Sequence, residues 1–116
     1  MAIIYKIARV IYAQTNGASL PAAEAMASMI RNLCLATKCD LCDIAADKNI
    51  FVAPPSDIDA RDKKFQMCVR VVQKMITGTL PDSVFGATRF HHESAIPDWA
   101  TDLGYVAEVD GLLFYL

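Results

Sequence analysis

The sequence predicts a mainly helical α+β domain with a small β-hairpin or ribbon near its C-terminus, and three observations carry that prediction. Apolar residues recur at helical spacing in three separate stretches, turn-forming residues punctuate them, and the last twelve residues hold two β-rich runs around Asp110-Gly111. Ile3, Ile4, Ile7, Ala8 and Ile11 form one stripe, with Lys6 and Arg9 off it, so residues 2–14 read as an amphipathic helix. Thr15 to Ser19 is a loop of turn formers. Ser19 can then cap a second helix with Pro21 in its first turn. This helix is expected to run to about Thr37, with Ala25, Met26, Met29, Ile30, Leu33 and Cys34 inside and Arg31 and Asn32 on the wet side.

From Lys38 to Asp62 the period breaks, and Pro54-Pro55-Ser56 marks an irregular connection with room for one short helical turn around 41–47. Loops of that length usually serve a function. The third long helix carries Phe65, Cys68, Val69, Val72, Met75 and Ile76, and is stopped by Gly78 and Pro81. Ser83 to His92 reads as a loop leading into a short extended segment. Pro97-Asp98-Trp99-Ala100 opens a brief helix that ends by Gly104.

Composition narrows the function classes. The chain has 116 residues, enough for one domain at 1–116 with a single core. Its formal net charge is −2 and no basic run tracks a phosphate backbone, so nucleic acid is not an expected partner. The apolar segment 3–13 is too short and too charged for a membrane span, and its charges lie inside the run, unlike a signal peptide. No G-x-S-x-G motif and no Gly-rich phosphate loop occurs.

Two metal readings arise from the residues. Cys34, Cys39, Cys42 and, at a distance, Cys68 follow the ligand order of plant-type iron–sulfur proteins. Against this, Cys34 and Cys68 lie on apolar stripes, where thiols behave as small buried hydrophobes; a Cys39–Cys42 or nearby disulfide is the other alternative. His91-His92 with Glu93 could bind zinc, but neighbouring residues on an extended segment point to opposite faces. One His in a hydrogen-bond network and one in solvent is the expected arrangement. No metal and no cofactor is assigned.

Gly86-Ala87-Thr88-Arg89-Phe90-His91-His92, then Pro97-Asp98-Trp99-Ala100, then Phe114-Tyr115, resembles the C-terminal half of the spore-cortex-lytic cell-wall hydrolases of the SleB/CwlJ type. Their pattern is roughly G-A-T-H-[FY]-[HY], P-x-W-A and I-G-x-H-x-F-Y. Met67 to Val72, followed by Gly78-Thr79-Leu80-Pro81-Asp82, is similar to the family's helix ending in a G-x-x-P-D turn. Ala8-Arg9-Val10-Ile11-Tyr12, Ala25-Met26-Ala27 and Ile30-Arg31-Asn32 are similar to its opening.

The resemblance implies a lysozyme-like fold and lytic-transglycosylase-type cleavage of peptidoglycan glycan strands, in a bacterial envelope or phage-associated setting. In the family one Glu in a partly apolar cleft protonates the glycosidic oxygen and then recovers a proton as the sugar's own hydroxyl closes a ring. That Glu falls on Gln14, after Tyr12 and Ala13. A primary amide cannot do this proton work, so activity is expected to be weak or lost. The family's I-G-x-H falls on Val109-Asp110-Gly111-Leu112, so its Gly and its His are replaced as well. Glu24 and Glu93 are the candidate substitute acids. Tyr12, Thr88, Phe90, His91 and Trp99 are the expected substrate-binding positions, with Trp99 either stacking on sugar or anchoring its short helix. A non-catalytic peptidoglycan-binding or regulatory domain is the alternative to an enzyme.

Overall fold

A computed structural model describes residues 2–15, 19–54 and 57–116. Four helices come first: α1 (Ala2–Thr15), α2 (Leu20–Thr37), α3 (Leu41–Ala45) and α4 (Lys63–Thr77). Strand β1 (Arg89–His92), a 3-10 turn at Asp98–Thr101, and strands β2 (Tyr105–Val109) and β3 (Leu112–Tyr115) follow. The arrangement is an α+β fold with one three-stranded antiparallel sheet, ordered β1-β3-β2. Of the loop expected between the first two helices, Asn16, Gly17 and Ala18 lie outside the described residues, as do Pro55 and Ser56 of the long connection.

The apolar stripe of α1 behaves as its spacing demands: Ile4, Ile7, Ala8 and Ile11 are buried, and Ile3 is packed against them at the margin. α1 and α2 both pack on α4. The middle of α2 is buried on nearly every side, from Ala22 to Ile30 with only Glu24 partly exposed. Its many alanines let neighbouring elements approach closely around it, as in a helix that is apolar all round. Ser19 caps it by accepting from the Ala22 N–H at 3.2 Å, and the same hydroxyl bonds the Asp110 carboxylate of the distant hairpin turn. Arg31 faces solvent as expected, but Asn32 does not. Its amide donates to the Asp82 carboxylate and the Ala87 carbonyl, at 3.2 and 3.1 Å, which ties α2 to the turn after α4.

On α4 the buried set is Phe65, Cys68, Val71, Val72 and Met75. Val71 thus replaces the expected Ile76, which is exposed, because α4 must present a face wide enough for both α1 and α2. Gly78, at φ +78°, turns its N–H back onto the Lys74 and Met75 carbonyls and ends the helix. At the other end Asp62 is the N-cap, its carboxylate accepting the Lys64 N–H at 2.8 Å and the Tyr12 hydroxyl at 3.0 Å. These two donors, the backbone one first, hold the Asp62 carboxyl below the usual range; the same hydrogen bond raises the Tyr12 phenol.

A depressed carboxyl contributes stability above its unfolded value, and that contribution is lost as pH falls through the folded one. Asp62→Asn keeps a capping oxygen and removes the charge. We expect it to melt below the wild type at neutral pH, with the gap closing as pH falls below the ordinary carboxylate range. Paired thermal melts check this.

The expected hairpin is present. Asp110 and Gly111, at φ +48° and +82°, form a two-residue turn with both φ values positive, the geometry whose twist matches paired strands. The extended segment expected after Ser83 is a full sheet member, pairing with β3 in the register Phe90↔Phe114 and His91↔Leu113. Phe114 and Leu112 drive one face of this sheet into the helical core. Tyr115 and His91 lie on the other face, which the 3-10 turn covers through Trp99.

Candidate functional site

A cleft of about 260 Å³ runs along the outer edge of β1. Thr88, Arg89 and Phe90 line it together with Trp99 of the 3-10 turn, Leu33 of α2, and Asn49 and Ile50 of the long connection. The lining therefore combines aromatic and aliphatic surface with a hydroxyl, an amide and a guanidinium. Flat apolar surface beside a few convergent polar groups is the usual make-up of a small-molecule site. Among the described residues no carboxylate and no imidazole lines it.

Trp99 is oriented by its neighbours. Its ring meets Tyr115 edge-on at 5.2 Å and His91 at 5.8 Å, and the Arg89 guanidinium lies 5.9 Å from its centroid. His91 is buried beneath it. Nδ1 lies 2.8 Å from the His92 carbonyl, which can only accept, and Nε2 lies 2.9 Å from the Tyr115 hydroxyl. Both ring nitrogens are engaged, while His92 is exposed, so the doublet divides into one networked and one solvent-facing residue.

Gln14 is elsewhere. Its side chain is 2% exposed at the end of α1, and both amide atoms are used: Nε2 donates to the Val52 carbonyl at 2.8 Å and Oε1 accepts the Val52 N–H at 3.2 Å. This two-point pairing imitates a β-bridge and clamps the long connection to α1. The neighbouring Phe51 is buried and stacks on Phe90 at 5.9 Å, and Ile50 lines the cleft. Gln14 is thus a positioning residue that acts on the cleft through Val52, Phe51 and Ile50.

The remaining expected positions separate. Thr88, Phe90 and Trp99 share the cleft, and His91 supports it from below. Tyr12 is turned toward Asp62 and packs edge-on against Phe65 at 6.2 Å, at the start of α4. Glu24 sits partly exposed on α2, and Glu93 is exposed with its carboxyl near the Gly111 turn; neither lines the cleft. Asn49, Ile50, Leu33 and Arg89 were not singled out by sequence. Only the length of the connection carrying Asn49 and Ile50 signalled them, since Leu33 reads as core and Arg89 as an ordinary surface charge.

The four thiols are free and do not converge. Cys34 donates to the Cys39 carbonyl at 2.7 Å, Cys42 lies in α3, and Cys68 is buried in the core. Among the described residues no group of three or more His, Cys, Asp or Glu side chains could hold a metal ion. Burial pushes the Cys68 thiol up to about 11, so it stays protonated and inert near neutrality. With an alkylating reagent at about pH 8, Cys39 should label first and Cys68 only on unfolding, a sequence that peptide mapping reads directly.

No helix among the described residues is long and apolar enough to cross a membrane. Comparison of the chain with protein-family models, with curated proteins and with solved structures gave no match.

Proposed function

We propose that this chain is a lysozyme-like domain of the spore-cortex-lytic cell-wall hydrolase type that binds peptidoglycan glycan strands without cleaving them. The observation that carries this reading is the state of Gln14: both atoms of its amide are committed to Val52 and the side chain is sealed from solvent. The position that resembles the family's acid holds neither an acid nor a path to a sugar. The cleft on β1 supplies what binding needs, a Trp ring for the apolar face of a pyranose and Asn49, Thr88 and Arg89 for its hydroxyl and carboxyl groups. General acid–base assistance is worth roughly 10²–10⁴ in rate, and no titratable acid in the cleft provides it.

The test has two arms. Purified peptidoglycan is sedimented with the wild-type protein and with a cleft variant, and the same glycan is digested with wild type and Gln14→Glu while mass spectrometry searches for anhydromuramyl products. Co-sedimentation with no product from either protein is expected. Products from the wild type would overturn the reading in favour of a lytic transglycosylase using Glu24 or Glu93. Absence of binding would overturn it altogether.

A further inference from the structure

A second cavity, of about 470 Å³, lies away from the cleft, between α4 and the start of α2. Lys63, Arg70 and Lys74 line it together with Leu20, Met67 and Val71. The three cations fall on one side of α4 at positions i, i+7 and i+11, and so span about 16 Å along the helix. α4 contains no acidic residue between Lys63 and Thr77, although the whole chain is net negative. Asp62, at its N-terminus, is committed to the Lys64 N–H and the Tyr12 hydroxyl. Among the described residues Lys63, Arg70 and Lys74 form no ion pair, and Glu24, one turn along α2 from Leu20, does not reach them. Three of the chain's 11 Lys and Arg residues thus stand without ion pairs around one groove that Leu20, Met67 and Val71 also line.

We propose that this groove docks a short acidic peptide segment of a partner protein, one with carboxylates on one face and apolar side chains on the other. Three features select that occupant. An extended peptide places alternate side chains about 6.7 Å apart, and Arg70 and Lys74 are offset by about 6 Å along α4, so successive same-side carboxylates meet successive cations. Leu20, Met67 and Val71 reward an apolar side chain, which a uniformly hydrophilic polyanion lacks. The three cations span only about 16 Å of α4, the reach of a short segment rather than of a long polyanion.

Leu20 and Leu33 lie at opposite ends of α2, about 20 Å apart, and border the groove and the cleft respectively. The groove is therefore separate from the cleft, and the proposal stands whether or not the cleft binds glycan.

Fluorescence anisotropy with a labelled acidic hexapeptide of alternating Glu and Leu tests it on the full chain. Expected are saturable binding that weakens with salt, at least a tenfold loss in Arg70→Glu, and unchanged binding in Lys6→Glu, which makes the same charge change at an exposed site on α1. Met67→Ser should weaken binding without altering the salt dependence, and circular dichroism should show all three variants folded. Equal loss in Lys6→Glu and Arg70→Glu, tighter binding of inorganic polyphosphate or of a DNA oligonucleotide than of the peptide, or no peptide binding would each overturn the proposal.

Discussion

Gln14→Glu should be a protein whose stability falls sharply as pH rises out of the acid range. The amide is 2% exposed and meets Val52 with one donor and one acceptor. A carboxylate keeps the acceptor, loses the donor and sets a negative oxygen against the Val52 carbonyl, with no water to screen it. Leaving a buried charged group mispaired in this way costs about 3 kcal/mol or more. A protonated carboxyl escapes the cost, because its O–H donates to the Val52 carbonyl while its C=O accepts the Val52 N–H. The folded state therefore holds the new carboxyl above its ordinary value. With a raised acid, stability is fully present below the unfolded value and lost as pH rises through the folded one. Urea titrations should show the variant close to wild type at about pH 4 and weaker by about 3 kcal/mol at about pH 8, each compared with wild type at the same pH. Gln14→Ala removes both bonds and leaves a void, so its loss of about 2–3 kcal/mol should not depend on pH. A Gln14→Glu variant as stable as wild type at both pH values would place position 14 in solvent and reopen the catalytic reading.

That Gln14 serves as a clamp was not legible in the sequence, and the reason is physical. Local rules read periodicity, caps and turns, and these were legible: Ser19 caps α2, Gly78 closes α4, and Asp110-Gly111 makes the hairpin turn. The partner of a buried amide is set by the long connection, whose backbone has no period from which a path could be derived. Val52 is 38 residues from Gln14, and nothing in either residue announces the pairing. The same limit applies to Asn32, whose partners Asp82 and Ala87 lie 50 and 55 residues away. β1 was expected only as a short extended segment, without its place in a sheet. Four residues, of which two are His, carry too weak an alternation to specify a strand, and it is pairing with β3 that makes them one. The cleft was half legible for that reason: Thr88, Phe90 and Trp99 came from one continuous stretch of chain, whereas Leu33, Asn49 and Ile50 reach it only through tertiary packing.

On the proposed glycan reading, Trp99→Ala should weaken binding roughly thirtyfold while leaving the domain folded. The indole is partly exposed and lines the cleft, and its edge contacts are to Tyr115 and His91 on the sheet. These aromatic contacts contribute about 0.5–1.5 kcal/mol each beyond the area they bury, so the variant should lose about 2 kcal/mol of stability. A central aromatic in a small site carries a larger share of the binding energy: about 2 kcal/mol or more, a loss of roughly thirtyfold in affinity. Trp99→Phe keeps a flat ring and the Tyr115 contact. It should recover most of the stability and part of the affinity. Arg89→Ala touches both effects, because the guanidinium lies over the indole and also lines the cleft. On the proposed reading it removes a polar contact to sugar together with a cation–π contact of about 0.5–1 kcal/mol. Titration calorimetry with soluble peptidoglycan fragments, run well below each variant's melting temperature, distinguishes loss of the site from loss of the fold. Full affinity in Trp99→Ala would mean that the indole is an anchor for the sheet and nothing more, and the glycan site would then have to be sought off the edge of β1.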